Sequence, residues 1–294
     1  MTAAEGATRI GAPSLRERVR RDLGAFTEAE RRVAGALIAD YPMLGLETVA
    51  RFAERAGTSG PTILRFIRRL GFASYPAFQD AIRAEIQSRL QGPLSRYDAR
   101  ESAGDAGDLT ARLAASMRQN LERMADGLSR EDAAAVVERL ADRSRRVFLL
   151  GGRFSGLIAS YFHRYLRELR PGVRAVHEAN AAWADELVDI GPGDVLVAFD
   201  FRRYQADVQE FSRAAAERGA DVVLVTDVWT SPVAAHAAFV VACPVGTPSV
   251  FDSHVAGLAV VEILTAAVVE RLGAAAKERI ADIEALRRET RFGA

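Results

Sequence analysis

Lysine is almost absent from this 294-residue chain: Lys277 is the only one, so arginine supplies all but one of the 39 basic residues. That argues against Schiff-base or P-loop lysine chemistry outside the C-terminal tail. Cysteine is equally scarce, and the single Cys243 excludes an internal disulfide. No Cys/His grouping has zinc spacing, and no metal or other cofactor is expected. An apolar core of a signal peptide is missing near the start. The most apolar long stretch, 254–269, is interrupted by Glu262 and is too short to cross a bilayer, so no membrane partner is expected. Nor is there an excess of charge of either sign, because 39 acidic residues balance the basic ones. Any nucleic-acid surface must therefore be a local patch. What remains, 49% hydrophobic and 27% charged, fits a soluble globular protein of two ordinary domains in a reducing cytoplasm.

The chain changes grammar along its length. Residues 1–13 are small and Gly/Ala-rich, and Ser14 is placed to cap a helix to about 23. Thr27 with Glu30 forms a capping box, Val33, Leu37 and Ile38 share one helical face, and Pro42 closes that helix. Helices follow over 48–55, 61–70 and 76–90, the one at 61–70 with Ser59 as N-cap, Pro61 in its first turn and Gly71 at its end. From 91 to 108 apolar periodicity disappears, which places a linker between a domain over 14–90 and another over 109–294. After helices at 109–126 and 130–141, short apolar runs at 146–150, 173–176, 195–199, 222–226 and 239–242 alternate with helical stretches. That pattern predicts an all-α helix-turn-helix domain followed by an α/β domain with a five-stranded parallel sheet flanked by helices. An apolar helix at 252–272 and a charged one at 274–291 close the chain.

The helices at 48–55 and 61–70 are joined by Arg55-Ala56-Gly57-Thr58-Ser59, with glycine where a sharp turn needs it. The second of the two is split between an apolar face, Ile63, Leu64, Phe66, Ile67 and Leu70, and a polar face with no acid between 58 and 70. Such a helix suits the DNA major groove. Thr58, Ser59, Thr62 and Arg65 lie toward the end that meets bases, with Thr62 and Arg65 the base-contact candidates and Arg68 and Arg69 the phosphate anchors. Arg51 and Arg55 are placed to add backbone contacts. An ordinary three-helix unit with a solvated basic face is the bland alternative.

The wording of the segment points further. Residues 26–78, with FTEAERRVAGALIADYP, LETVARFAERAGTSGPTILRFIRRLGF and SYPAF, closely resemble the N-terminal domain of RpiR/MurR transcription regulators. Residues 120–272, with VFLLGGRFSGLIAS, VVLVTD and TSPVAAHAAFVV, resemble the sugar isomerase (SIS) domain that follows it in that family. Helix-turn-helix proteins usually read a pseudo-palindromic double-stranded DNA operator as dimers with a fixed spacing of reading heads, so a homodimer or homotetramer is expected. The resemblance implies a small anionic effector, typically a phosphorylated sugar held by hydroxyls at strand ends.

The residues themselves suggest an anion site. Gly151-Gly152-Arg153-Phe154-Ser155-Gly156 leaves a strand and opens a helix, where backbone N–H groups and the Ser155 hydroxyl favour an anion. Steric need alone also explains glycine in such a turn, so the motif is weak by itself. Two departures from the family stand out. Arg153 replaces a usual glycine, and Asp200-Phe201-Arg202-Arg203-Tyr204 replaces the Ser-x-Ser-Gly phosphate loop. Guanidinium recognition by Arg202 and Arg203 would suit a carboxylate as well as a phosphate. Alternatively, Asp200 pairs with one of these arginines and the other is solvated. Gly152, Arg153, Ser155, Gly156, Arg202, Arg203, Tyr204, Thr226 and Ser253 make up the candidate ligand set, although Thr226 and Asp252 equally suit capping. The rival reading is a sugar-phosphate isomerase or lyase, for which His177, Glu178, His254 or Glu262 would be the base.

Overall fold

In the computed structural model, which describes residues 15–90, 92–103, 107–176 and 183–290, the chain divides into two compact units at Gly107/Asp108. The first is helical: α1 (Leu15–Arg21), α2 (Glu28–Ala39), α3 (Met43–Leu46), α4 (Val49–Arg55), α5 (Gly60–Arg69), α6 (Tyr75–Leu90) and α7 (Pro93–Ala103). Thr27 caps α2 as expected: its side chain accepts from the Glu30 N–H, and Glu30 accepts from the Thr27 N–H at 2.9 Å. Val33, Leu37, Phe52, Ile63, Phe66, Ile67, Phe78 and Ile82 are fully buried together and form the core. Removing each such side chain from water stabilises the unit by about 1.5–3 kcal/mol.

Two features of this unit depart from expectation. The chain does not simply stop at Pro42 but makes the one-turn helix α3. The segment 91–108, expected as a linker without apolar periodicity, carries the eleven-residue helix α7, PLSRYDARESA. Its Leu94 and Tyr97 are mostly exposed, so they add no buried apolar positions for periodicity to detect.

The second unit runs α8 (Leu109–Gly127), α9 (Arg130–Ala141), β1 (Val147–Gly151), α10 (Gly156–Leu169), β2 (Val173–Val176), α11 (Trp183–Asp189), β3 (Val195–Asp200), α12 (Ala206–Glu217), β4 (Asp221–Thr226), β5 (Phe239–Ala242), α13 (Val255–Leu272) and α14 (Ala274–Thr290). The five strands form one parallel sheet in the order β2-β1-β3-β4-β5. Side chains alternate across it. Val147, Leu149, Val195, Val197, Phe199, Val223 and Val225 pack on the side of α9, α10 and α13, while Phe148, Leu150, Leu196, Ala198, Val222 and Leu224 pack on the side of α12. Burial on both faces explains why these strands read as continuous apolar runs. Between β4 and β5 the chain makes only a single 3-10 turn, Pro232–Ala235. The fully buried Arg170 ties the end of α10 to the turn between α9 and β1: it donates to the carbonyls of Leu140 at 2.7 Å, Asp142 at 2.8 Å and Arg145. No helix among the described residues is long and apolar enough to cross a membrane.

Candidate functional site

Two places collect the residues singled out by sequence, one in each unit. In the first unit, α4 ends where Gly57 adopts a φ of 58°, and the Thr58 N–H closes the turn on the Ala53 carbonyl at 2.9 Å. The chain re-enters helix at Gly60, with Ser59 in the N-cap position and Pro61 just inside. Ser59 makes no side-chain cap bond; its hydroxyl instead meets that of Thr62 at 3.0 Å. Ile63, Phe66 and Ile67 bury one side of α5, leaving Arg65 and Arg68 exposed on the other.

The polar residues of α5 differ more than their spacing suggests. Thr62, a base-contact candidate, is buried. Arg69, expected to anchor phosphate, is exposed but lies along the surface of the unit: it donates to Glu30 at 2.8 Å and to the Ala25 carbonyl, and lies 5.4 Å from the Phe26 ring centroid. Thr27 and Arg69 together hold the Glu30 carboxyl below its usual range despite its burial. On α4, Arg55 pairs with Asp40 at 3.0 Å and Arg51 lies 3.8 Å from Glu54.

In the second unit, the ends of β1, β3 and β4 converge with the loop before α13. A Cβ on Gly151 would lie 2.6 Å from the Ser155 backbone, so the β1–α10 turn closes only on glycine. Ser155 is buried and its hydroxyl is engaged twice, donating to the Phe199 carbonyl at 2.6 Å and accepting from the Gly152 N–H at 2.9 Å. The Gly156, Leu157 and Ile158 N–H groups bond the carbonyls of Gly152, Phe154 and Ser155. The Arg153 N–H donates to the side-chain oxygen of Gln205, whose amide lies over Gly152 where a Cβ would otherwise stand. The Gly-rich turn is thus clasped to the β3 loop by Gln205.

The arginines of the β3 loop are equally unlike one another. Arg202 is buried, lies 5.0 Å from the Trp229 ring centroid, and donates to both carboxylate oxygens of Asp252, one of them at 3.0 Å. Arg203, the next residue, is exposed with a φ of 68°. Neither arginine pairs with Asp200, contrary to the alternative weighed from sequence. Asp200 accepts from the Ser231 hydroxyl at 2.5 Å and from the Gln205 N–H at 3.3 Å. Burial pushes its carboxyl up to about 6, with the nearby acids Asp227 and Asp207 acting in the same direction. Asp227 is fully buried, accepts from the Tyr204 hydroxyl at 2.8 Å and the Trp229 N–H at 2.9 Å, and is raised by burial as well.

Thr226 and Ser253 are also occupied within the fold. The Thr226 hydroxyl donates to the Asp200 carbonyl at 2.6 Å and accepts from the Ser231 N–H, while Ser253 accepts from the Val255 N–H at 3.3 Å. Of the residues weighed as bases, His177 and Glu178 lie outside the described residues. His254 packs edge-on to Phe201 at 5.0 Å, with burial lowering its pKa, and Glu262 accepts from the Tyr161 hydroxyl at 3.1 Å. No group of three or more His, Cys, Asp or Glu among the described residues is placed to hold a metal ion. Gln205, Asp227, Trp229 and Ser231 carried no local signal, because each acquires its role from a partner 23 to 52 residues away or from burial.

Known proteins share both units. Residues 14–89 match the helix-turn-helix domain of the rpiR family and residues 140–267 match the SIS domain. An uncharacterized HTH-type transcriptional regulator of Thermotoga maritima is 24% identical over 232 residues, which span 77% of this chain and 80% of that protein. The sugar isomerase domain of the RpiR transcription factor from Sphaerobacter thermophilus is 25% identical with a TM-score of 0.56, over 60% of this chain and 98% of that one. The NanR protein of Vibrio vulnificus, solved with ManNAc-6P, shares the fold with a TM-score of 0.51 at 20% identity, over 94% of this chain and 98% of its own. The chain belongs to the RpiR family of transcription regulators, with a helix-turn-helix domain that binds DNA and a SIS domain that senses a small metabolite.

Proposed function

We propose that the effector is a small anion, a sugar phosphate or a carboxylate, held at the strand ends chiefly by the side chains of Arg153 and Arg203. The observation that carries this reading is the placement of two exposed guanidiniums on loops that Gln205 ties together. Arg203 keeps its position in a left-handed backbone conformation that disfavours a side chain, and such strain concentrates at functional sites. Gly152, Ser155, Gly156, Thr226 and Ser253 then shape the crevice, the Ser155, Thr226 and Ser253 hydroxyls and the Gly152 and Gly156 N–H groups being engaged within the fold. Arg202 supports it through Asp252, and Tyr204 lines it beside Asp227.

On DNA, Arg65 and Arg68 with Thr58 and Ser59 form the reading surface, while Arg69 and Thr62 hold α5 in place. The operator is pseudo-palindromic and is read in the cytoplasm by a homodimer or homotetramer. The outward apolar side chains Leu157 and Tyr165 of α10 and Leu258 and Ile263 of α13 supply the contact between copies. The effector acts by binding one arrangement of the copies more tightly than another.

A thermal-shift screen of phosphorylated sugars against small carboxylates tests the site, since a ligand that binds only the folded state raises its melting temperature. The shift given by any hit is expected to vanish in Arg153→Ala/Arg203→Gly, the glycine being suited to the φ of 68°. A shift that survives in that variant places the effector elsewhere.

A further inference from the structure

Apart from the strand ends, the second unit has an open cleft of about 420 Å³ between α10 and α14. Arg164 and Arg167 line it from α10, and Arg279 and Arg287 from α14. Glu168 is the one carboxylate in its lining, and it pairs with Arg287 at 2.7 Å. Four guanidiniums therefore face a single acid in a chain whose net charge is zero. The side chains of Arg164 and Arg167 are exposed, and the Arg279 Nε holds the Arg167 carbonyl at 3.0 Å, which fixes α14 against the last turn of α10.

We infer that this cleft is a second anion site, which takes a small molecule carrying two or more phosphoryl groups. Its volume falls in the range of small-ligand sites. Its charge is supplied by arginine, whose planar fork pairs with phosphoryl oxygens through two parallel hydrogen bonds. Arg164 and Arg167, three residues apart on α10, are neighbours on one helix face and offer two guanidinium forks side by side, which suits a ligand with two linked phosphoryl groups. The cleft lies seven to twelve residues along α10 from the Gly-rich turn, so it is separate from the strand-end crevice and does not depend on the effector reading.

The test is a calorimetric titration of the full chain with inorganic pyrophosphate at low ionic strength. Saturable binding of one pyrophosphate per chain is expected. Arg164→Ala/Arg167→Ala should weaken it about tenfold or more, the value of one charge-assisted hydrogen bond. Arg164→Lys/Arg167→Lys keeps the charge and guards against a folding defect; it is expected to bind with intermediate affinity, since the fork is lost. Binding that fails to saturate, or that is unchanged in both double variants, overturns the inference. A parallel titration with random double-stranded DNA covers the other polyanion. If the alanine variant loses DNA affinity while the wild type ignores pyrophosphate, the arginines serve a nucleic-acid backbone and the inference is wrong.

Discussion

Arg203 is exposed at a φ of 68°, whereas Arg202, one residue earlier, is buried beside Trp229 and held by Asp252. Removing the partner of a buried guanidinium leaves a charge poorly compensated in a low-dielectric site. Asp252→Ala should therefore destabilise the second unit by about 3 kcal/mol. Both tryptophans, Trp183 and Trp229, lie in that unit, so urea unfolding followed by their fluorescence reads it selectively. An unchanged midpoint would mean that the pair contributes nothing. Asp200 makes a second prediction. Burial raises its pKa from 3.8 to about 6, so the stability linked to its proton is present below pH 3.8 and is lost as pH rises through 6. Asp200→Asn removes that loss. The variant should gain on the wild type by on the order of 2 kcal/mol between about pH 4 and pH 7. A stability difference that is constant over this interval would show that Asp200 ionises as it does in the unfolded chain.

At the scale of elements, α5 carries the DNA argument, because its buried stripe of Ile63, Phe66 and Ile67 fixes which side chains face outward. Arg65→Ala touches none of that stripe. It should leave the fold intact and weaken operator binding by about 1–3 kcal/mol, roughly fivefold to 150-fold, with relaxed base preference, as fluorescence anisotropy would register. Equal affinity and preference would remove Arg65 from the interface. Elements of this kind were legible in the sequence, since capping boxes, glycine turns and apolar runs are local signals: Thr27, Gly57 and the strand β1 fell within a residue of expectation. The helices α3, α7 and α11 were not, because two are at most seven residues long and the third leaves its Leu94 and Tyr97 exposed. The interior of the crevice was hidden for a different reason. The Gln205 amide over Gly152 and the Asp252 carboxylate on Arg202 are contacts across about fifty residues, set by topology rather than by spacing.

At the scale of the whole molecule, a unit that reads DNA and a unit built on a sheet with a strand-end crevice share one chain, and neither unit explains the other by itself. Zero net charge means that DNA affinity must come from a local patch and fall with added salt. The measurement that tests the central claim most directly is selection from a pool of randomised double-stranded DNA by the purified full chain, followed by sequencing of the bound fraction. The account predicts one enriched motif of two inverted half-sites whose centres lie about 10 base pairs, or a multiple of that, apart. Enrichment of no motif over the starting pool would contradict it.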